Sequence, residues 1–222
     1  MYDYWFVQFD FPDENGKPYK SSGGAMVYNE QLKREIPKGW NNGTLSDIAN
    51  ITMGQSPEGS SYNEHGEGII FYQGSSDFGD RFPKIRQYTI APSRIANRGD
   101  ILMSVRAPVG DLNIANNDCC IGRGLSALQS KIGSFTHLYY TMLSFKELFE
   151  RKSAIGTTFG SINKDELYAL PIVNPNANVV KQFEKRCKSI FEQQMNIDEE
   201  IASLIKQRNE LLPLLMNGQV AL

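Results

Sequence analysis

The sequence predicts an α+β fold: a sheet-based domain with irregular loops, followed by one long C-terminal coiled-coil helix. Three observations carry that expectation. Residues 178–212 contain no Gly or Pro and repeat apolar side chains at heptad spacing. Residues 41 to about 175 hold short apolar runs bounded by Gly, Pro or Asp, which is strand-and-turn punctuation. Helical stretches are scattered among those runs rather than alternating with them, which argues against a doubly wound sheet.

Taken in order, residues 1–40 are aromatic and turn-rich and form an N-terminal arm ending in Ile36-Pro-Lys-Gly-Trp40. Thr44-Leu-Ser-Asp47 has capping-box form and opens a short helix through Ala49. A polar, glycine-rich loop follows at 54–62. Strands are expected at Ile69–Gln73, Gln87–Ile90, Ile101–Val105 and Leu112–Ala115. Ser134 caps a helix with Leu138, Tyr139, Met142, Phe145 and Phe149 on one face. A second polar loop spans 156–161. Asn163 and Glu166 cap a short helix that must stop before Pro171. Asn174-Pro-Asn176 breaks regular structure, so the expected units are 1–40, 41–175 and 176–222.

With Val180 at heptad position a, that position holds Val180, Cys187, Gln194, Ile201 and Arg208. Position d holds Phe183, Ile190, Ile197, Leu204 and Leu211. Phe191, Ile205 and Leu212 widen the stripe, so a helix packed on its own domain is the competing expectation. In an antiparallel pair with full overlap, Val180 would face Leu211 and Cys187 would face Leu204, with Gln194 and Ile197 near the two-fold axis. The rod would be roughly 48 Å long at ~1.5 Å per residue, more than one DNA turn of about 34–36 Å.

Composition sets bounds on function. Of 222 residues, 41% are hydrophobic and 22% charged, which fits an ordinary globular chain rather than a disordered one. The 23 basic and 25 acidic residues rule out a polybasic binder. No run reaches the ~18 apolar residues of a membrane span, and MYDYWFVQF lacks the basic start of a secretory signal. The expected location is therefore the cytoplasm, without membrane association. Three cysteines, two of them adjacent, do not make a disulfide framework. Two isolated histidines and no C-x-x-C argue against zinc.

Catalytic motifs are missing. Glu150-Arg-Lys152 has no Pro-Asp partner nearby, and no methyltransferase-type Asn/Asp-Pro-Pro-aromatic stretch occurs. Gly122-Arg-Gly124-Leu-Ser-Ala127 matches G-x-G-x-x-A but lacks a following helix, so it reads as a turn. Charge segregation remains. Residues 81–123 carry Arg81, Lys84, Arg86, Arg94, Arg98, Arg106 and Arg123 against Asp100, Asp111 and Asp118, a local charge of +4. Six of the seven are Arg, suited to bidentate contact with phosphate and guanine.

Longer motifs carry a resemblance. Tyr2–Pro12 with Asp13–Gly24, and Leu32–Trp40, which leads into the recognition domain, look like the conserved segment of type I restriction-modification specificity subunits. Leu45–Pro57 is similar to the start of their target recognition domain, and Gly156–Ser161 with Leu167–Pro175 to its end. Leu211–Val220 matches the usual chain end. The resemblance implies a subunit with no active site or cofactor of its own. It would read double-stranded DNA and dock modification subunits that methylate adenine with S-adenosylmethionine. Restriction subunits using ATP and Mg would join the full complex. It implies two recognition domains and two helices, whereas this chain has one of each, so two copies are expected to pair through residues 178–212. Expected DNA-facing residues are Gln55, Ser56, Tyr62, Arg81, Lys84, Arg86, Arg94, Arg106, Arg123, Thr158, Ser161 and Lys164. The expected pairing residues are Val180, Phe183, Cys187, Ile190, Gln194, Ile197, Ile201, Leu204 and Leu211.

Overall fold

A computed structural model describes residues 1–154 and 160–218. Its first element is a π-helical turn, Asp3–Val7. A hairpin of β1 (Met26–Asn29) and β2 (Arg34–Pro37) follows. The Asn29 side chain shapes that hairpin, accepting from the amides of Gln31 at 3.1 Å and Leu32 at 2.9 Å.

Next come β3 (Asn41–Thr44), α1 (Leu45–Ile48) and β4 (Ala49–Met53). The capping box predicted at Thr44 and Asp47 is formed. β5 (Tyr62–Asn63), β6 (Ile69–Tyr72), β7 (Gln87–Thr89) and β8 (Ile95–Ala96) precede β9 (Ile101–Ser104) and β10 (Leu112–Ile114). β11 (Cys119–Ile121) and β12 (Leu125–Ser130) complete the strand-rich part. Then follow α2 (Phe135–Ala154), α3 (Lys164–Tyr168), β13 (Pro171–Asn174) and α4 (Ala177–Met216). α4 runs past Pro213, beyond the predicted stop at 212.

Two sheets form the middle unit. One has the order β10-β9-β12-β4 and is antiparallel; the other has the order β5-β7-β6-β11-β8 and contains one parallel pair, β6 with β11. β9 is buried along its whole length because it is covered on both faces. Ile101 and Met103 join Leu128, Leu138 and Met142 in a core against α2. Leu102, between them, joins Tyr72, Cys119, Ile121, Leu125 and Ala127 on the opposite face. β3 and β13 pair antiparallel, with Asn41 opposite Asn174, and bring the two ends of the unit together.

The arm does more than flank the sheet unit. Trp5, Phe6, Phe9 and Phe11 pack with Trp40, Val180 and Phe183 in a third core. Phe6 meets Phe183 edge-on at 5.0 Å and Phe11 stacks on Trp40 at 4.9 Å. His137 of α2 lies 4.7 Å from the Phe6 ring, and burial pushes its imidazole down to about 4. Glu184 of α4 closes the amino end of α2. Its carboxylate accepts from Ser134 Oγ at 2.6 Å, from the Thr136 amide at 3.2 Å and from the Thr136 hydroxyl. A negative group supplied by one helix thus satisfies the free donors of another. No helix among the described residues is long and apolar enough to cross a membrane.

Candidate nucleic-acid interface

The end of β4 crosses the β11–β12 turn at close range. The Gly54 amide donates to the Leu125 carbonyl at 2.9 Å, and the Gln55 amide to the Ile121 carbonyl at 3.0 Å. A Cβ on Gly54 would lie 2.1 Å from the Gly122 carbonyl oxygen, and one on Gly124 would lie 2.7 Å from that of Gln73. Only glycine permits these approaches, so Gly122–Gly124 is a turn under packing constraint, not a dinucleotide loop.

The chain around Arg106 is tied in from both sides. The Val105 amide donates to the Gly124 carbonyl at 2.9 Å, and the Ala107 amide to the Gly160 carbonyl at 3.1 Å. Arg106 and Ser161 form an isolated antiparallel bridge. The Arg123 amide donates to Ser56 Oγ at 3.2 Å. Four segments distant in sequence therefore meet around a cleft of ≈ 290 Å³. Ser56, Gln73, Ser75, Ser76, Arg106 and Arg123 line it together with Gly74, Ala107 and Gly124, and none of these is acidic. Among the described residues, neither Arg106 nor Arg123 has a carboxylate partner. Two free guanidiniums, an amide and several hydroxyls form a donor-rich surface of the kind that meets phosphates and base edges.

The structure sorts the expected DNA-facing residues. Ser56, Arg106 and Arg123 line the cleft, and Ser161 adjoins it through its bridge. Gln55 is exposed, and its carbonyl accepts the Ser93 hydroxyl. Arg94 is exposed, with its carbonyl bound by the Ile121 amide at 2.9 Å. Lys84 and Arg86 are exposed but do not line the cleft. Lys164 sits 5.3 Å from the Tyr168 ring. Thr158 lies outside the described residues.

Two expectations need correction. Arg81 is turned to α4, where it pairs with Asp198 and lies 5.7 Å over the Phe191 ring. Arg98, counted in the basic stretch, pairs with Glu199 at 2.9 Å. Both cations are engaged by the helix. Tyr62 is structural as well, donating to the Pro57 carbonyl at 2.9 Å and stacking on Phe71 at 4.8 Å. Sequence reasoning missed Gln73, Ser75 and Ser76. The available signal was the polar Gln-Gly-Ser-Ser run directly after a strand, the same grammar as Gly54-Gln-Ser56.

α4 divides in two. Val180 is 3% and Phe183 0% exposed under the arm, and Cys187 is half-buried. Phe191 packs on Phe135 at 4.8 Å and on Tyr139 at 5.7 Å. Val180 and Phe183 are therefore committed within the chain, contrary to their expected place in a pairing seam. Beyond them, Ile190, Gln194, Ile197, Ile201, Leu204 and Leu211 are exposed. Burial and neighbouring acidic groups push the Cys119 thiol up to about 12.

Residues 37–213 match the type I restriction modification DNA specificity domain. The chain is 37% identical over 191 residues to the protein described as the type I restriction enzyme MjaX specificity subunit of Methanocaldococcus jannaschii, covering 84% of this chain and 44% of that one. It is 26% identical over 238 residues to the MjaIX specificity subunit of the same organism, covering 99% and 51%. The crystal structure of the HsdS subunit from Thermoanaerobacter tengcongensis superposes with a TM-score of 0.61 at 31% identity, over 88% of this chain and 48% of that one. The chain thus spans about half the length of the curated relatives it matches. A family match over residues 37–213, and a relative 37% identical over 84% of the chain, show that the chain belongs to the type I restriction-modification DNA specificity family.

Proposed function

We propose that this chain reads one short segment of double-stranded DNA and holds it for modification subunits docked along α4. The observation that carries this reading is the cleft in which Arg106 and Arg123, both free of ion pairs among the described residues, flank an amide and hydroxyls. Methylation of adenine with S-adenosylmethionine, and cleavage with ATP and Mg, would then belong to the modification and restriction subunits. The test is duplex binding by the chain across a salt series. Log affinity should fall linearly with log salt, and Arg106→Ala or Arg123→Ala should each reduce that slope by about 1. Binding that ignores salt would favour a protein-adaptor role instead.

The exposed stripe from Ile190 to Leu211 supports pairing with a second copy. Because Val180 and Phe183 are covered, full overlap gives way to a register shifted toward the C-terminus. A one-heptad shift sets Ile197 opposite Ile201 at the axis and Gln194 opposite Leu204. Light scattering on the chain should give twice the monomer mass, and Leu204→Asp should return it to the monomer.

A further inference from the structure

We propose that Gln73, absent from the expected set, is a base-reading residue and that its target is adenine in the major groove. This rests on the DNA-reading role proposed above. Gln73 follows β6 directly, where that strand is flanked by β7 and β11. Its backbone is held at both ends. The amide donates to the buried Asp77 carboxylate at 3.0 Å, and the carbonyl accepts the Gly124 amide at 3.2 Å. The next loop is braced in turn by Asn113, which accepts from the Gly79 amide and donates to the Gly79 carbonyl, both at 3.0 Å.

The side chain is exposed in the cleft lined by Arg106 and Arg123, and nothing among the described residues hydrogen-bonds its amide. A rigid backbone with a free terminal amide is what a reading position requires, since the geometry is set before the ligand arrives. The division of labour follows from chemistry. A guanidinium carries five donors and no acceptor, so it can hold phosphate or guanine but cannot satisfy the adenine N6 amino group. A glutamine amide offers one donor and one acceptor, matching adenine N7 and N6 together. Of the side chains lining the cleft, Gln73 alone has that pair on one planar group.

The experiment is selection of a randomised duplex DNA library on the 222-residue chain and on Gln73→Ala and Gln73→Glu, read by sequencing. Wild type should enrich a motif with an A·T pair at one position. Gln73→Ala should lose preference at that position alone, by roughly 5- to 150-fold, and keep the others. Gln73→Glu should move the preference there toward cytosine, whose N4 amino group donates to a carboxylate. An unaltered motif in Gln73→Ala, or an equal loss at every position, would overturn the assignment. Salt-dependent binding of wild type without any enriched motif would also overturn it, while leaving DNA binding intact. Failure of wild type to bind duplex would instead remove the DNA-reading role itself. The side chain is exposed, so matching thermal midpoints should show that the variants fold alike.

Discussion

The proximal and distal halves of α4 have the same heptad pattern and opposite surroundings. Val180 and Phe183 are buried beneath the arm, whereas Ile197 and Leu204 are each 55% exposed. Apolar spacing along a helix therefore states that a face will be covered, not by what. The covering agent is visible only in another part of the chain: Trp5, Phe6 and Trp40 reach the proximal half, whereas in the distal half Arg81 and Arg98 meet Asp198 and Glu199 and leave Ile197, Ile201 and Leu204 exposed.

The largest expected effect comes from testing the covered half. Phe183→Ala should lower unfolding stability by about 3–5 kcal/mol in denaturant titration, because it empties the centre of the aromatic core. Leu204→Ala should leave the monomer's stability nearly unchanged and weaken only self-association. Equal losses for both would erase the contrast.

Acid should break the covered half next. His137 titrates at about 4 when folded, below its ordinary 6.5, because burial disfavours the charged form. The unfolded chain takes up the proton first as pH falls. Its contribution is therefore complete above about 6.5 and disappears progressively down to about 4, a loss on the order of 3 kcal/mol. His137→Phe should flatten that part of the stability–pH curve measured by thermal unfolding.

A smaller loss should come from Glu184→Ala. It leaves the Ser134 and Thr136 donors without their carboxylate and should cost about 1–2 kcal/mol, with reduced amide-exchange protection in the first turn of α2. The smallest should come from Asp198→Ala, which frees Arg81 at the boundary between the two halves of α4. Partly exposed pairs contribute about 0–1 kcal/mol, so the readout is salt: the wild-type advantage should shrink as ionic strength rises.

The same contrast explains what the sequence made legible. The capping boxes at Thr44 and Asn163 are local and formed where expected, and the Gly- and Pro-free stretch 178–212 is helical throughout, in a helix that runs on past Pro213. β11 was missed because Cys119–Ile121 is a three-residue run whose strand character comes from parallel pairing with β6, about fifty residues earlier. β12 escaped because its residues face two cores, which removes the alternation that marks a half-exposed strand. In the cleft, Arg106 and Arg123 were readable as cations. That Arg81 and Arg98 belong to α4 was not, because Asp198 and Glu199 lie about a hundred residues away and charge alone does not name its partner.

The β3–β13 ladder has a consequence for how such a chain can change. Asn41 and Asn174 face each other across it, so the backbone enters and leaves the sheet unit at one doorway. The whole unit is a cassette. A replacement that keeps those two strands, and supplies hydroxyls where Ser134 and Thr136 meet Glu184, would hand the same exit direction to α4. New loop chemistry can then be fitted without redrawing the helix that follows it.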